Sequence, residues 1–212
     1  MKASVGELRR HLLPKTIEPT GSYAWQDKVE RRAEAFRMLV HAEIEAYLED
    51  RAEEIASSAW NAWCAERKVS VVTVHLLGFS GREMYGPVKT IDAPTDNKKK
   101  AWPEKKYLDD RLSRSVTGFI HFLRTENHGI REANLLSIVI PLGIEVDKID
   151  GDLIFGLEEL GQLRGRVAHT SLIARASDGV DPKGELDRIR LLLGKVSVLD
   201  VQLDSLLDEA KC

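Results

Sequence analysis

The feature that most constrains the fold is a long stretch without glycine or proline, which lies between Gly21 and Gly78. Glycine and proline are the residues that most often interrupt a helix, so no such residue breaks a helix here. Apolar residues recur along it at steps of three and four and one step of eight: Val29, Ala33, Phe36, Val40, Ile44, Tyr47, Ile55, Ala59 and Trp63. This spacing follows one face of an α-helix. The sequence therefore predicts one long helix from about Tyr23 to Arg67.

The same spacing predicts helices on both sides of this stretch. A short helix should run from Ser4 to Leu13 and end before Pro14, which cannot continue it. Further along, the helical pattern returns at 107–127, 131–140 and 152–175, and in one or two helices after a turn at 177–182. Asp150 and Asp152 are candidates to cap the start of the helix at 152–175. The fold class indicated is all-α.

The segment 69–103 interrupts the helical pattern. Its first part, 69–74, is β-branched and is consistent with a short strand or with a buried extended segment. Residues 78–103 are rich in Gly, Pro, Asp, Asn and Lys, which predicts a long irregular loop insertion. We therefore expect an all-α fold with a small β element or an irregular insertion around 69–103.

Composition indicates one domain over residues 1–212, with an N-terminal helix or arm at 1–22. The net charge of −3 gives no bulk attraction for nucleic acid, so RNA binding would need a local basic patch. Two cysteines, Cys64 and Cys212, are typical of a reducing cytosol rather than of a disulfide framework. No apolar run is long enough for a membrane span, and the expected location is the cytoplasm.

Arg164 and His169 carry the chemistry that the sequence suggests. A histidine of near-neutral pKa can accept a proton from a ribose 2′-OH, and an arginine can hold the phosphate and offset its developing charge. Each residue also has a common alternative role: Arg164 as an arginine on a helix surface, and His169 as a structural histidine. Five helical residues advance the azimuth by about 500°, which places the two side chains roughly 140° apart. One helix therefore cannot easily aim both at one phosphate, whereas two copies packed antiparallel about a two-fold axis can.

Gly161 and Gly165 lie two turns and one turn before His169, respectively, and form a strip of small residues beside it. A partner helix could approach closely along this strip. The alternative is that the glycines accommodate a neighbouring part of the same chain. Because glycine inside a helix costs about 1 kcal/mol relative to alanine, either role would explain its presence.

Two blocks of sequence resemble the HEPN superfamily, and most closely its RiboL-PSP-type branch. The first is His41-Ala42-Glu43-Ile44-Glu45-Ala46-Tyr47-Leu48-Glu49; the second runs from Asn134-Leu135-Leu136 through Pro141-Leu142-Gly143-Ile144 to the segment 160–171 around Arg164 and His169. The resemblance covers roughly residues 25–210. It implies a HEPN-like helical bundle with a long second helix, and a homodimer with a composite active cleft. Gly165 departs from the polar residue common at this place across the superfamily.

Several residues are candidates to support Arg164 and His169. Arg166 lies three residues before His169 and could contact phosphate; alternatively it is a solvated charge. His41 and Glu45 are spaced to meet on the long helix. The resemblance implies that they orient a catalytic group, and the alternative is an exposed helix pair. Gln162, Thr170 and Ser171 flank the motif and could supply hydrogen bonds.

A basic segment with an aromatic residue is the candidate for further RNA contact. It contains Lys98, Lys99, Lys100 and Trp102, followed by Lys105 and Lys106. Lysines with an aromatic ring are the composition of a single-strand contact, although charged loops are usually only solvated. No metal-ligand spacing occurs among the histidines and cysteines, and no cofactor motif is visible.

The function predicted is a metal-independent endoribonuclease of the HEPN type that acts through the substrate's 2′-OH. From the resemblance alone, the setting would be a toxin–antitoxin or antiphage system, with an antitoxin or another defence protein as a partner. A non-catalytic HEPN module that binds RNA or a protein is the first alternative. A helical scaffold in which Arg164 and His169 are structural is the second.

Overall fold

The computed structural model describes residues 1–18, 20–80, 102–169 and 179–211, except for the side chains of 102, 105 and 166–169. In these ranges every regular element is helical, which confirms the all-α class. The α-helices are α1 Lys2–Leu12, α2 Gln26–Glu66, α3 Val71–Gly78, α4 Trp102–Lys106, α5 Leu108–Thr125, α6 Glu132–Val139, α7 Gly151–His169 and α8 Pro182–Lys211. Two 3₁₀ turns at Ile140–Leu142 and Val146–Lys148 connect α6 to α7. None of the helices in the described ranges is long and apolar enough to cross a membrane.

The long helix is present and begins and ends within a few residues of the predicted bounds. Most of the apolar positions that predicted it are buried, among them Phe36, Val40, Ile44 and Ile55, whereas Val29, Tyr47 and Trp63 are half-buried. Helices also occur in the other predicted regions, although residues 170–178, which include the predicted end of the helix at 152–175 and the start of the turn at 177–182, lie outside the described residues. The region after 182 forms one helix. Helix periodicity was thus a sufficient signal for most of this fold.

Helix α3 corrects the interpretation of 69–74 as a strand or extended segment. Residues from Val71 onward are helical, and the Ser70 hydroxyl caps the helix by accepting a hydrogen bond from Thr73 N at 3.2 Å. Val72 and Leu76 are buried on one side of it. Burial of these side chains together with the cap outweighs the weak intrinsic preference of β-branched residues for strands.

The predicted loop insertion at 78–103 is described only at its ends. Gly78 is the last residue of α3, and Trp102 is the first residue of α4. Lys98, Lys99 and Lys100 lie outside the described residues, as does the side chain of Trp102. Their predicted contact with RNA stays a prediction.

Two aspartates fix the starts of the last two helices. Asp150 Oδ1 accepts a hydrogen bond from Asp152 N at 2.8 Å at the start of α7, which confirms the predicted capping role of Asp150. At the start of α8, Asp181 accepts hydrogen bonds from the backbone of Lys183 and Gly184 at 3.0 and 2.9 Å. Pro182 occupies the first helical position, where its missing N–H costs nothing.

The chain divides into two compact units, and the first contains Met1–Leu48, His128–Leu136 and Asp147–Val201. This unit therefore holds α1, the first part of α2, α7 and most of α8. Its buried apolar side chains include Phe36, Ile44, Leu153, Leu157, Ile189 and Val196. Both Glu45 and Arg164 belong to it.

The second unit contains Glu49–Asn127, Ser137–Val146 and Gln202–Cys212. Its buried side chains include Ile55, Leu76, Leu112, Leu123 and Leu142. Helices α2, α6 and α8 each contribute residues to both units, so the units are not two consecutive domains. The single domain over 1–212 stays a prediction.

Candidate active site

Helix α7 carries Arg164 at the end of its buried stripe. Leu153, Leu157 and Leu160 are almost fully buried and recur at steps of four and three. Arg164 follows Leu160 by four residues, yet its side chain keeps 45% of its surface exposed. It therefore lies at the border between the packed face of α7 and solvent, where a guanidinium can contact both protein and ligand.

Glu45 on α2 is the carboxylate that faces Arg164. Its Oε2 lies 4.0 Å from Arg164 Nη1, and its side chain is only 18% exposed. This separation gives an electrostatic attraction but is too long for a hydrogen bond. Glu45 can thus restrain the guanidinium by its charge without accepting a hydrogen bond from it.

A backbone group in turn holds the Glu45 carboxylate. Glu45 Oε1 accepts a hydrogen bond from Gly129 N at 2.5 Å. Gly129 has a φ of 116°, a conformation that other residues rarely adopt, so its N–H is aimed at Glu45 by a glycine-specific turn. In the sequence Gly129 falls between the helices predicted at 107–127 and 131–140, and nothing in its spacing pointed to Glu45.

His41 lies one turn before Glu45 on α2 and is buried. Its Nδ1 is 3.4 Å from Glu45 Oε2, although it makes no hydrogen bond within the described residues. Burial, reinforced by the positive charge of Arg164, lowers the pKa of His41 to about 4. The absence of a hydrogen bond to Glu45 agrees with this lowering, because an ion pair would raise the pKa. His41 is therefore a neutral imidazole at neutral pH.

These contacts bring together three of the residues selected from the sequence: Arg164, Glu45 and His41. The pair on α2 is not an exposed helix pair, because His41 is 1% exposed. The group presents one cation, one carboxylate and one neutral imidazole. Such an arrangement can hold an anion at the exposed side of the guanidinium while its inner side stays fixed.

The other motif residues are placed only by their backbone. His169 is the last described residue of α7, and Arg166 lies one turn before it on the same helix. Their side chains, and all of Thr170 and Ser171, lie outside the described residues. Because α7 is continuous from Arg164 to His169, the two positions lie roughly 140° apart around the helix axis.

Gly161 and Gly165 differ in their surroundings. A Cβ at Gly161 would lie 2.5 Å from Cγ of Arg131, so another part of the same chain already covers this position. This supports the alternative that Gly161 accommodates a neighbouring part of the same chain. Gly161 is therefore not available for contact with a partner helix. A Cβ at Gly165 would meet no described atom within 4 Å.

Arg131 was not selected from the sequence. Its side chain crosses α7 at Gly161, and its Nε donates to Glu158 Oε1 at 2.8 Å. In the sequence Arg131 follows the short gap between the helices predicted at 107–127 and 131–140, and no pattern there distinguishes it from any surface arginine. Only the packing of 128–131 against α7 identifies it.

Comparisons with models of protein families, with curated proteins and with solved structures found no match to this chain. Among the described residues, no three histidine, cysteine, aspartate or glutamate side chains are grouped so that they could hold a metal ion.

Proposed function

We propose that the protein is a metal-independent endoribonuclease of the HEPN type. The observation that carries the proposal is the setting of Arg164. Its side chain is half-exposed and lies 4.0 Å from the carboxylate of Glu45, which in turn accepts a hydrogen bond from Gly129 N. A phosphate-binding arginine needs both a fixed orientation and free access for its ligand.

The reaction would be a transesterification within the RNA strand. His169 removes the proton of a ribose 2′-OH, and that oxygen attacks the adjacent phosphorus. The bond from phosphorus to the 5′ oxygen of the next nucleotide breaks, and this oxygen takes up a proton as it leaves. The products are a 2′,3′-cyclic phosphate and a 5′-OH. Arg164 would stabilise the charge on the crowded phosphate.

Glu45 and His41 would act on Arg164 rather than on the substrate. The charge of Glu45 restrains the guanidinium, and Gly129 N fixes the carboxylate. A neutral His41 places no second positive charge beside Arg164, so it does not compete with the guanidinium for the Glu45 carboxylate. Arg166 remains a candidate for a second phosphate contact.

A homodimer with a composite cleft would solve the geometric problem of the motif. Two α7 helices packed antiparallel near Gly165 could bring Arg164 of one copy close to His169 of the other. The open space around Gly165 supports such an approach. The proposed setting, a cytoplasmic toxin or antiphage effector with an antitoxin or defence partner, follows from the HEPN resemblance alone.

The decisive experiment is an RNA cleavage assay with three proteins: the wild type, Arg164→Ala and His169→Ala. We expect the wild type to cut RNA and each variant to lose activity at least about 100-fold, the usual contribution of a general base. Arg190→Ala is the control, because Arg190 is an exposed arginine paired with Asp187 on α8. Circular dichroism of each variant should match the wild type.

The outcomes separate the three readings of the motif. Cleavage that is lost in His169→Ala supports the ribonuclease. RNA binding by a wild type that does not cut would indicate the non-catalytic module. If the wild type neither binds nor cuts RNA, Arg164 and His169 are structural.

A further inference from the structure

The side chain of Arg131 lies across α7. A Cβ at position 161 would be 2.5 Å from Cγ of Arg131 and 3.3 Å from its Cδ. The aliphatic part of Arg131 therefore rests on the backbone of α7 and needs a glycine beneath it. This packing fixes the path of a long side chain that would otherwise be free to move.

The guanidinium of Arg131 is also oriented. Its Nε and Nη2 lie 2.8 and 2.6 Å from Glu158 Oε1. Glu158 accepts two further hydrogen bonds, from Gln162 Nε2 at 3.1 Å and from Glu132 N at 3.3 Å. The hydrogen bond from Gln162, followed by that from Arg131, lowers the pKa of Glu158 against the opposing effect of desolvation. The carboxylate is thus ionised and firmly held.

Arg131 nevertheless keeps access to solvent. Its side chain is 51% exposed, and the contact with Glu158 uses two of its three guanidinium nitrogens. A guanidinium has five N–H donors in a fixed fork, so an oriented and half-exposed arginine can still bind an anion. Arg164 has the same combination of a nearby carboxylate and partial exposure.

The Arg131 side chain crosses α7 close to the position of Arg164. Gly161, which carries the Arg131 side chain, precedes Arg164 by three residues, and residues so spaced are neighbours on a helix surface. The segment that carries Arg131 also contains Gly129, whose N–H holds Glu45 and through it Arg164. One short segment therefore lays the Arg131 side chain over α7 about one turn before Arg164, with its guanidinium at Glu158.

We infer that Arg131 is a second phosphate-binding residue, which holds the RNA backbone next to the phosphate bound by Arg164. A nucleic acid strand offers one phosphate per nucleotide, so two oriented guanidinium groups, one carried by α7 and one laid across it, suit two phosphates of one strand. This inference rests on the proposed ribonuclease function. It assigns Gly161 the role of carrying the Arg131 side chain.

The test is the binding of a non-cleavable RNA, an oligonucleotide with 2′-O-methyl riboses, to the full-length protein over a range of salt concentrations. Arg131→Ala should weaken binding on the order of tenfold at low salt. The slope of log affinity against log salt should fall by about 0.7, the value for one phosphate contact on a single strand. Arg131→Lys should keep most of the slope because it keeps the charge.

Gly161→Ala provides a test that changes no charge. The added Cβ must displace the Arg131 side chain, so this variant should shift affinity and slope in the same direction as Arg131→Ala. Arg190→Ala, which removes an exposed arginine paired at 3.5 Å with Asp187, should leave both unchanged. Circular dichroism shows whether Gly161→Ala keeps its helices, and Arg131→Ala decides the question if it does not.

Two outcomes overturn the inference. One is an Arg131→Ala protein with the affinity and salt slope of Arg190→Ala. The other is a loss of affinity of the expected size in Arg131→Ala without any change in the salt slope, because a phosphate contact must release counterions. Failure of the proposed function has a different signature, since either the wild type would not cut RNA or His169→Ala would cut it as well as the wild type does.

Discussion

Glu45 Oε2 lies 4.0 Å from Arg164 Nη1, and the other oxygen of the same carboxylate accepts a hydrogen bond from Gly129 N. The carboxylate is thus held by the backbone on one side and faces a cation on the other. This arrangement makes the orientation of Arg164 depend on a residue in the middle of α2. It allows the contribution of Glu45 to be measured separately from that of Arg164.

Glu45→Gln should lower the rate of RNA cleavage about tenfold while leaving the fold intact. Glutamine keeps an oxygen that can accept from Gly129 N, but it removes the charge that attracts Arg164. A less ordered guanidinium stabilises the transition state less well. Because Glu45 does not touch substrate, we expect the loss in kcat rather than in KM. Steady-state cleavage kinetics provide the measurement.

Glu7→Gln is the matched control for this prediction. Glu7 is an exposed glutamate on α1 whose carboxylate pairs with Arg10 at 3.3 Å. An exposed pair of this kind contributes little, so this variant should cut RNA at the wild-type rate. Equal rates for Glu45→Gln and Glu7→Gln would exclude a positioning role for Glu45.

His41 should make the stability of the protein depend on pH. Its pKa is about 4 in the folded protein and about 6.5 in an unfolded chain. Between these values the unfolded chain binds more protons, so the free energy of unfolding falls as pH decreases from 6.5 to 4 and changes no further through this group below 4. The loss is roughly 3 kcal/mol at most. Urea denaturation at several pH values measures it.

His41→Asn should show a shallower fall in stability over the same pH range, because asparagine does not titrate. His11→Asn is the control, since His11 lies exposed on α1. Its profile should follow the wild type. A His41→Asn protein whose stability falls as steeply as that of the wild type would show that other groups cause the pH dependence.

Helix α3 shows where the sequence was insufficient for the fold. The β-branched residues at 69–74 predicted strand or extended structure, whereas Val71 begins a helix. A Cβ at Gly143 would lie 2.6 Å from Cγ1 of Val71, so residues distant in sequence pack closely against this segment. Such contacts cannot be read from local spacing. The long helix α2, by contrast, carries its own periodic signal over many turns.

Ser70→Ala should destabilise the protein by about 1 kcal/mol, the usual effect of losing an N-cap. The Ser70 hydroxyl accepts from Thr73 N and lies 3.0 Å from Thr73 Oγ1, and both residues are buried. Urea denaturation monitored by circular dichroism gives the change. Ser205→Ala, at an exposed position inside α8, should not reduce stability. Equal stability of the two variants would argue against the cap.

The candidate site was predictable only in part, for a related reason. The order of residues on α2 suggested that His41 meets Glu45, because residues four apart are neighbours on a helix. The approach of Glu45 to Arg164 depends on how α2 and α7 pack in the first unit, and spacing does not encode it. Gly129 and Arg131 carried no local signal. Their roles emerge from the contacts of Gly129 N and of the Arg131 side chain.

The composite cleft requires a dimer, and Gly165 is the place to test it. We expect light scattering at micromolar concentration to give twice the 23.8 kDa of one chain. Gly165→Leu should yield monomers, because a large side chain would hold two α7 helices apart. Gly194→Leu is the matched control, since a Cβ at exposed Gly194 on α8 also meets no described atom within 4 Å. A wild type that is strictly monomeric would contradict the shared cleft.

The identity of the nucleophile gives the sharpest test of the chemistry. If the substrate's own 2′-OH attacks phosphorus, a 2′-deoxy substitution at the scissile nucleotide should abolish cutting there, and DNA of the same sequence should stay intact. The cyclic phosphate product forms without an activated water, so cleavage should persist in excess EDTA. The rate should rise as a general base near pH 6.5 loses its proton. Gel analysis of the end groups, with an RNA of all-ribo sequence as the control, measures each of these. Cleavage that EDTA stops, or that proceeds equally at the deoxy-substituted position, would move the protein out of the metal-independent ribonucleases.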